Sequence, residues 1–205
     1  MSVYHPYDDT LARHAAGRLA AGPGFVVAAH LASCRECRAR VTLFEAAGGA
    51  LLEEACVLAP PAEMFAATLR RIEQAVERAP RRLPTVSPLE ALQSPPWRRL
   101  GAGVQWRRLS LPQAPQAYLY MLKVARHGCA PRYAHRGPAY IQVLQGAFHD
   151  EHGRYLAGDC IEADDGAAHR PVVDSDVACV CLAAFESHPR LTGWLGRWLQ
   201  PLLGL

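Results

Sequence analysis

Apolar positions along the first eighty residues recur at steps of three and four, the period of a helix with one buried side. Leu11, Ala15 and Leu19 mark a first helix, which Asp8 or Asp9 caps and Gly22-Pro23-Gly24 stops. A second helix fits Phe25 to about Leu31, and a third runs from about Glu36 into Leu52 and Cys56. Pro60-Pro61 breaks the pattern. A fourth helix follows, with Phe65, Leu69, Ile72 and Val76 lined along one side. Prolines at 80, 84, 88, 95 and 96 and the solvated pair Arg81-Arg82 then predict a semi-extended linker, with a short helix at Leu89–Leu92.

Beyond Trp97 the period shortens to that of strands. Val104 and Trp106, then Leu109 and Leu111, give two short alternating runs. Tyr118–Val124 and Tyr140–Leu144 are richer in aromatic and β-branched residues, and Val177–Leu182 adds another apolar run. Gly146, Gly153 and Gly158-Asp159 punctuate them, which favours a sandwich or barrel. Leu191, Trp194, Leu195, Trp198 and Leu202 return to helical spacing, as a terminal helix packed on the strands by its tryptophans. The expected architecture is α+β and multidomain. Residues 1–79 form an all-α domain, 80–96 the linker, and 97–205 an all-β barrel with that helix at its end.

Composition narrows the function. Phe25–Ala29 and Val177–Phe185 are the longest apolar runs, far short of the roughly 18 residues a membrane helix needs. No charged start followed by an apolar stretch suggests an export signal, so a soluble, cytoplasmic protein is expected. The 205 residues carry a net charge of +3, almost all of the positive charge being arginine spread along the chain. No helix clusters basic side chains, which argues against direct nucleic-acid binding. Seven cysteines in an unexported chain are expected as thiols, and a close pair among them points to metal or redox chemistry.

The sharpest local signal is His30-Leu-Ala-Ser-Cys34-Arg-Glu-Cys37. At about 100° per residue, steps of four and seven bring the three donors to nearly one side of a helix or helix junction. Two thiolates and an imidazole suit Zn²⁺, which takes four ligands. A fourth comes from elsewhere, and His5, just before the first helix, is placed to return alongside. A redox site of the thioredoxin type is disfavoured because no βαβ pattern surrounds the pair.

His5-Pro6, Ala15-Ala16-Gly17, the His30xxxCys34xxCys37 run and the Arg-Ala-Arg that follows resemble the zinc-binding anti-sigma domain of the ChrR family. Val143-Leu-Gln-Gly-Ala-Phe148, Gly158-Asp159, Cys179-Val-Cys-Leu-Ala-Ala184 and Gly196-Arg-Trp-Leu-Gln-Pro201 resemble that family's cupin-like carboxy-terminal domain. The resemblance covers nearly the whole chain. It implies zinc ligands at His5, His30, Cys34 and Cys37, and an extracytoplasmic-function sigma factor as partner. The helix of Phe65, Leu69, Ile72 and Val76 lies where such domains contact the sigma factor. An apolar stripe is more often core than interface, but three helices around one zinc leave little core for a fourth to cover. The resemblance also implies release of the sigma factor in response to singlet oxygen or organic peroxide.

Cupins hold a metal with a His-x-His pair, a Glu four residues on and a later His. The resemblance puts those positions on Tyr133, His135, Ala139 and His169. Ala139 has no donor atom, so a metal in this barrel is not expected, and His135 and His169 read as polar positions lining a small pocket. Nothing in the spacing of His127, Cys129 and His149 makes them replacements. Cys179 and Cys181, two apart on a strand, face one way and read as packing rather than sensor thiols. The function so implied is a zinc-dependent anti-sigma factor, not an enzyme, which regulates transcription indirectly and yields to an oxidant or a small ligand. The alternative is a metal-dependent cupin enzyme, of dioxygenase or isomerase type, with a structural zinc domain.

Overall fold

The structure is a computed structural model that describes residues 3–55, 59–78, 89, 92, 95–131, 133–163, 170–188 and 190–191. Expectations for Cys56, His169, most of the 80–96 stretch and the helix through Trp194, Leu195, Trp198 and Leu202 lie outside those residues, as do the side chains of Val76 and Tyr133.

Among the described residues four helices come first: α1 (Asp8–Ala15), α2 (Ala21–Ser33), α3 (Arg35–Glu53) and α4 (Ala62–Arg78). The expected boundary between the first two is corrected. Gly17, with φ of +64°, ends α1, its own N–H bonding to the His14 carbonyl and that of Arg18 to the Arg13 carbonyl. Gly22-Pro23-Gly24 belongs to the first turn of α2, where a proline gives up no helical hydrogen bond. The expected cap is also absent: Tyr7 occupies that position without a side-chain bond, and Asp8 and Asp9 sit inside the first turn.

Among the described residues eleven strands follow: β1 (Arg98–Arg99), β2 (Val104–Arg108), β3 (Tyr118–Val124), β4 (Tyr133–Ala134), β5 (Ala139–Gln145), β6 (Ala147–His149), β7 (Arg154–Leu156), β8 (Cys160–Ala163), β9 (Val172–Val173), β10 (Cys179–Phe185) and β11 (Arg190–Leu191). All pairings are antiparallel. The main sheet has the order β1-β2-β3-β10-β5-β8, a second has β7-β6-β9, and β11 pairs with β4. Leu109 and Leu111 form no strand; Leu111 makes an isolated bridge to Ala114. Leu191 lies in β11 rather than in a helix. Leu89 and Leu92 close one turn, the Leu92 N–H lying 3.4 Å from the Leu89 carbonyl oxygen.

The inner face of the main sheet packs against the second. Val104, Trp106, Tyr120, Ile141, Val143, Cys181 and Phe185 meet Phe148, Tyr155 and Val173 in one core. The outer face is apolar too: Leu119, Met121, Tyr140, Leu182 and Ala184 surround Val26 of α2, with Phe25 and Ala29 beside them. Strands covered on both faces read as continuous apolar runs, as β5 and β10 do. The helices alone enclose little: Leu11, Val27, Cys37 and Val41 are their buried core. Helices and strands are therefore joined by a shared hydrophobic layer.

Gly22 permits that approach. A Cβ there would lie 3.4 Å from the Ala184 Cβ and 3.8 Å from that of Ala117. Gly22→Leu should lower the unfolding free energy by about 1–3 kcal/mol through overpacking, whereas Gly22→Ala should stay within about 1 kcal/mol of the parent. Chemical denaturation of both variants checks this.

Candidate metal centre

Three elements converge on the donors. Cys34 is at once the last residue of α2's cap and the N-cap of α3, its sulfur accepting from the Cys37 N–H at 3.5 Å. His30 lies one turn earlier on α2 and is fully buried. His5 arrives from the extended segment before α1, which is laid along β8. The N–H groups of Val3 and Tyr4 donate to Asp159 Oδ1 at 2.7 and 3.2 Å. The Cys160 N–H donates to the Tyr4 carbonyl at 2.9 Å. Farther on, the Tyr7 N–H and the Thr10 hydroxyl donate to the two Glu162 oxygens at 2.7 and 2.8 Å.

The ligand atoms of His5, His30, Cys34 and Cys37 all lie within 4.8 Å of one another. His5 Nδ1 is 3.4 Å from Cys34 Sγ and 3.3 Å from Cys37 Sγ. Bond lengths of about 2.0–2.3 Å to a tetrahedral ion put neighbouring donors roughly 3.5 Å apart. Behind the ring, His5 Nε2 faces Glu36 Oε2 at 3.7 Å. The two imidazoles meet edge to face, 5.5 Å between centroids. His30 Nδ1 is 2.9 Å from Gln142 Oε1 on β5.

The electrostatics favour an ion here. Burial, and then the Cys34 sulfur beside it, push the Cys37 thiol up to about 12, so without a cation it keeps its proton at neutral pH. Burial lowers the His30 pKa against the opposing effect of its hydrogen bond to the Gln142 amide oxygen, which keeps the ring neutral and able to ligate. His30 Nε2 is buried without any hydrogen-bond partner. An orphaned buried nitrogen of that kind costs about 1–3 kcal/mol, and a metal ion would satisfy it. Two thiols and two imidazoles are a donor set that suits zinc.

Among the described residues no second group of three metal-capable side chains gathers in this way. Ala139 is fully buried in the inner core and offers no donor. His135 is buried, its Nδ1 2.7 Å from the Gly137 carbonyl oxygen. Of the three histidine and cysteine positions considered as replacements, His149 pairs with Asp174 at 3.7 Å and Cys129 is exposed beside Arg170; His127 adopts a positive φ of 55°. Cys179 and Cys181 share the inner face, their sulfurs 3.7 Å apart. On α4, Met64, Phe65, Leu69 and Ile72 are exposed, Phe65 by 73%. Sequence reasoning missed the roles of Glu36, Gln142, Asp159 and Glu162. The signal for Gln142 was a lone amide inside the apolar run Tyr140–Leu144, and Asp159 stood in the Gly158-Asp159 turn without a role; Glu36 and Glu162 carried none.

The profile described as the ChrR cupin-like domain matches residues 89–188. The anti-sigma-E factor ChrR of Cereibacter sphaeroides is 36% identical over 97% of this chain and 96% of its own length. The crystal structure of Rhodobacter sphaeroides SigE in complex with the anti-sigma ChrR superposes with a TM-score of 0.74 at 35% identity, covering 91% of this chain and all of that one.

Because Cys37 enters as a thiol, loading Zn²⁺ at neutral pH should release at least one proton per ion. That proton alone makes affinity rise about tenfold per pH unit between pH 6 and 8. A dye-monitored titration in weak buffer measures the release, and chelator competition measures the slope.

Proposed function

Since this chain belongs to the ChrR family of anti-sigma factors, we propose that it sequesters an extracytoplasmic-function sigma factor in the cytoplasm, with Zn²⁺ held by His5, His30, Cys34 and Cys37. The observation that carries this reading is the convergence of those four donors within 4.8 Å at the junction of α2, α3 and the segment before α1. Bound there, zinc would tie the segment before α1 to the α2–α3 junction. His5 and His30 supply the nitrogen donors and Cys34 and Cys37 the sulfurs.

The gripping surface in this reading is α4 together with the outer side of α3. Phe65, Leu69 and Ile72 on α4, and Leu43, Leu51 and Leu52 on α3, are all exposed. Val76 continues the α4 stripe in sequence. Large apolar side chains left in water at helical spacing mark a surface made for a partner. The chain is a regulator and not an enzyme: its relatives are anti-sigma factors, and Ala139 removes a donor from the cupin metal positions.

Release on an oxidative signal would act at the sulfurs. A hydroperoxide that oxidises Cys34 and Cys37 to a disulfide is itself reduced to alcohol and water, and both sulfur donors are lost together. The cupin-like β-domain, in this reading, modulates the grip in response to an oxidant or small ligand.

Co-expression with the cognate sigma factor tests the assignment. The two proteins should co-purify; Cys34→Ser or Cys37→Ser should abolish the complex. Phe65→Ala together with Ile72→Ala should weaken it at least about tenfold while leaving zinc content unchanged. A full complement of complex from the cysteine variants would refute the role of the metal.

A further inference from the structure

Both histidines of the metal centre are held from the β-domain. Gln142 stands on the outer side of β5 and is 3% exposed, with Tyr140 and Val143 as buried neighbours. A buried amide is costly unless both ends are satisfied, and here both are. Its Nε2 donates to the Val143 carbonyl at 3.2 Å, which turns Oε1 toward His30 Nδ1 at 2.9 Å. An amide oxygen only accepts, so Nδ1 carries the proton and donates. The lone pair of the neutral ring then falls on Nε2, the buried nitrogen that has no hydrogen-bond partner.

The other histidine depends on the same edge of the sheet. Asp159, buried in the turn before β8, accepts from the N–H groups of Val3 and Tyr4, and Glu162 on β8 accepts from Tyr7 and Thr10. His5 lies between these two anchorages. The helices supply the sulfurs, and the β-domain aims both imidazoles.

We propose that Gln142 is a positioning residue of the metal centre. By accepting from His30 Nδ1 it fixes the tautomer and angle that present Nε2 to the ion, and it makes the metal affinity of the helical end depend on the β-domain. The inference rests on the zinc reading above and extends it across the domain boundary. Partners of this second kind commonly change metal affinity about 10–100-fold. The rival explanation is that Gln142 only fills the space between α2 and the sheet.

Three full-length variants separate the two. Gln142→Leu keeps the volume and removes the acceptor, Gln142→Asn withdraws the amide by one methylene, and Gln142→Glu keeps an acceptor at full reach. Zinc affinity is measured by chelator competition on protein shown to be folded by circular dichroism, and the Co²⁺-loaded forms are compared by visible absorption. Gln142→Leu and Gln142→Asn should lose about 10–100-fold in affinity and shift the Co²⁺ ligand-field bands. Gln142→Glu should remain within a few-fold of the parent with its bands in place. If Gln142→Leu fails to fold, the Asn and Glu pair decides alone. Parental affinity in a folded Gln142→Leu or in Gln142→Asn, or an equal loss in Gln142→Glu, would overturn the proposal while leaving zinc binding intact. A parent chain that takes up no zinc at all would overturn both readings, and the parent's metal content reads that directly.

Discussion

Two sulfurs and two ring nitrogens crowded within 4.8 Å, one imidazole wholly cut off from water, form an arrangement that protein alone does not favour. Burial and the neighbouring sulfur keep the proton on Cys37 at neutral pH, and His30 Nε2 has no hydrogen-bond partner. A divalent cation resolves both conflicts at once, by replacing a proton on sulfur and by satisfying nitrogen. The rest of the helical end is built to suit that requirement. Among the described residues its buried apolar core is Leu11, Val27, Cys37 and Val41, with Ala15, Leu19, Leu31 and Phe44 half-buried against them, a small core to fix three helices and a leading segment by burial alone.

What the centre joins is more than the helices. Cys34 caps two of them, His5 comes from a segment hydrogen-bonded to β8, and His30 reaches Gln142 on β5. The apolar layer between α2 and the outer face of β3, β5 and β10 supplies the bulk of the contact. The polar links supply its register, because a hydrogen bond specifies geometry where burial does not. Against this, α4 stands with its apolar side in water. The described molecule is therefore tight where the metal donors lie and unfinished where a partner would sit.

Much of this was legible in the residues. Three of the donors, the four helices and the longer strands follow from spacing, since a fixed period puts given positions on one side of a helix or strand, whereas His5 entered through its place before α1 and the family resemblance. Boundaries were harder. Gly22-Pro23-Gly24 has the composition of a helix stop, yet it opens α2, because the first turn of a helix tolerates proline and because a small residue packs there against Ala184. The double coverage of β5 and β10 was hidden for another reason: an apolar run shows that both faces are buried but not by what. Gln142, Asp159 and Glu162 were out of reach because their partners lie more than a hundred residues away, and no local period encodes such a pairing.

The segment from Val3 to Tyr7 has one more effect, on the sheet itself. Among the described residues β8 is the last strand of its sheet, and a terminal strand offers unpaired amides and carbonyls to any other chain that can line up beside it. The Cys160 N–H is already taken by Tyr4, and the carboxylates of Asp159 and Glu162 hold the cover down. The same few residues that carry His5 to the metal donors thus also cover that strand edge, so loosening this one stretch of backbone would withdraw a donor and bare the edge together.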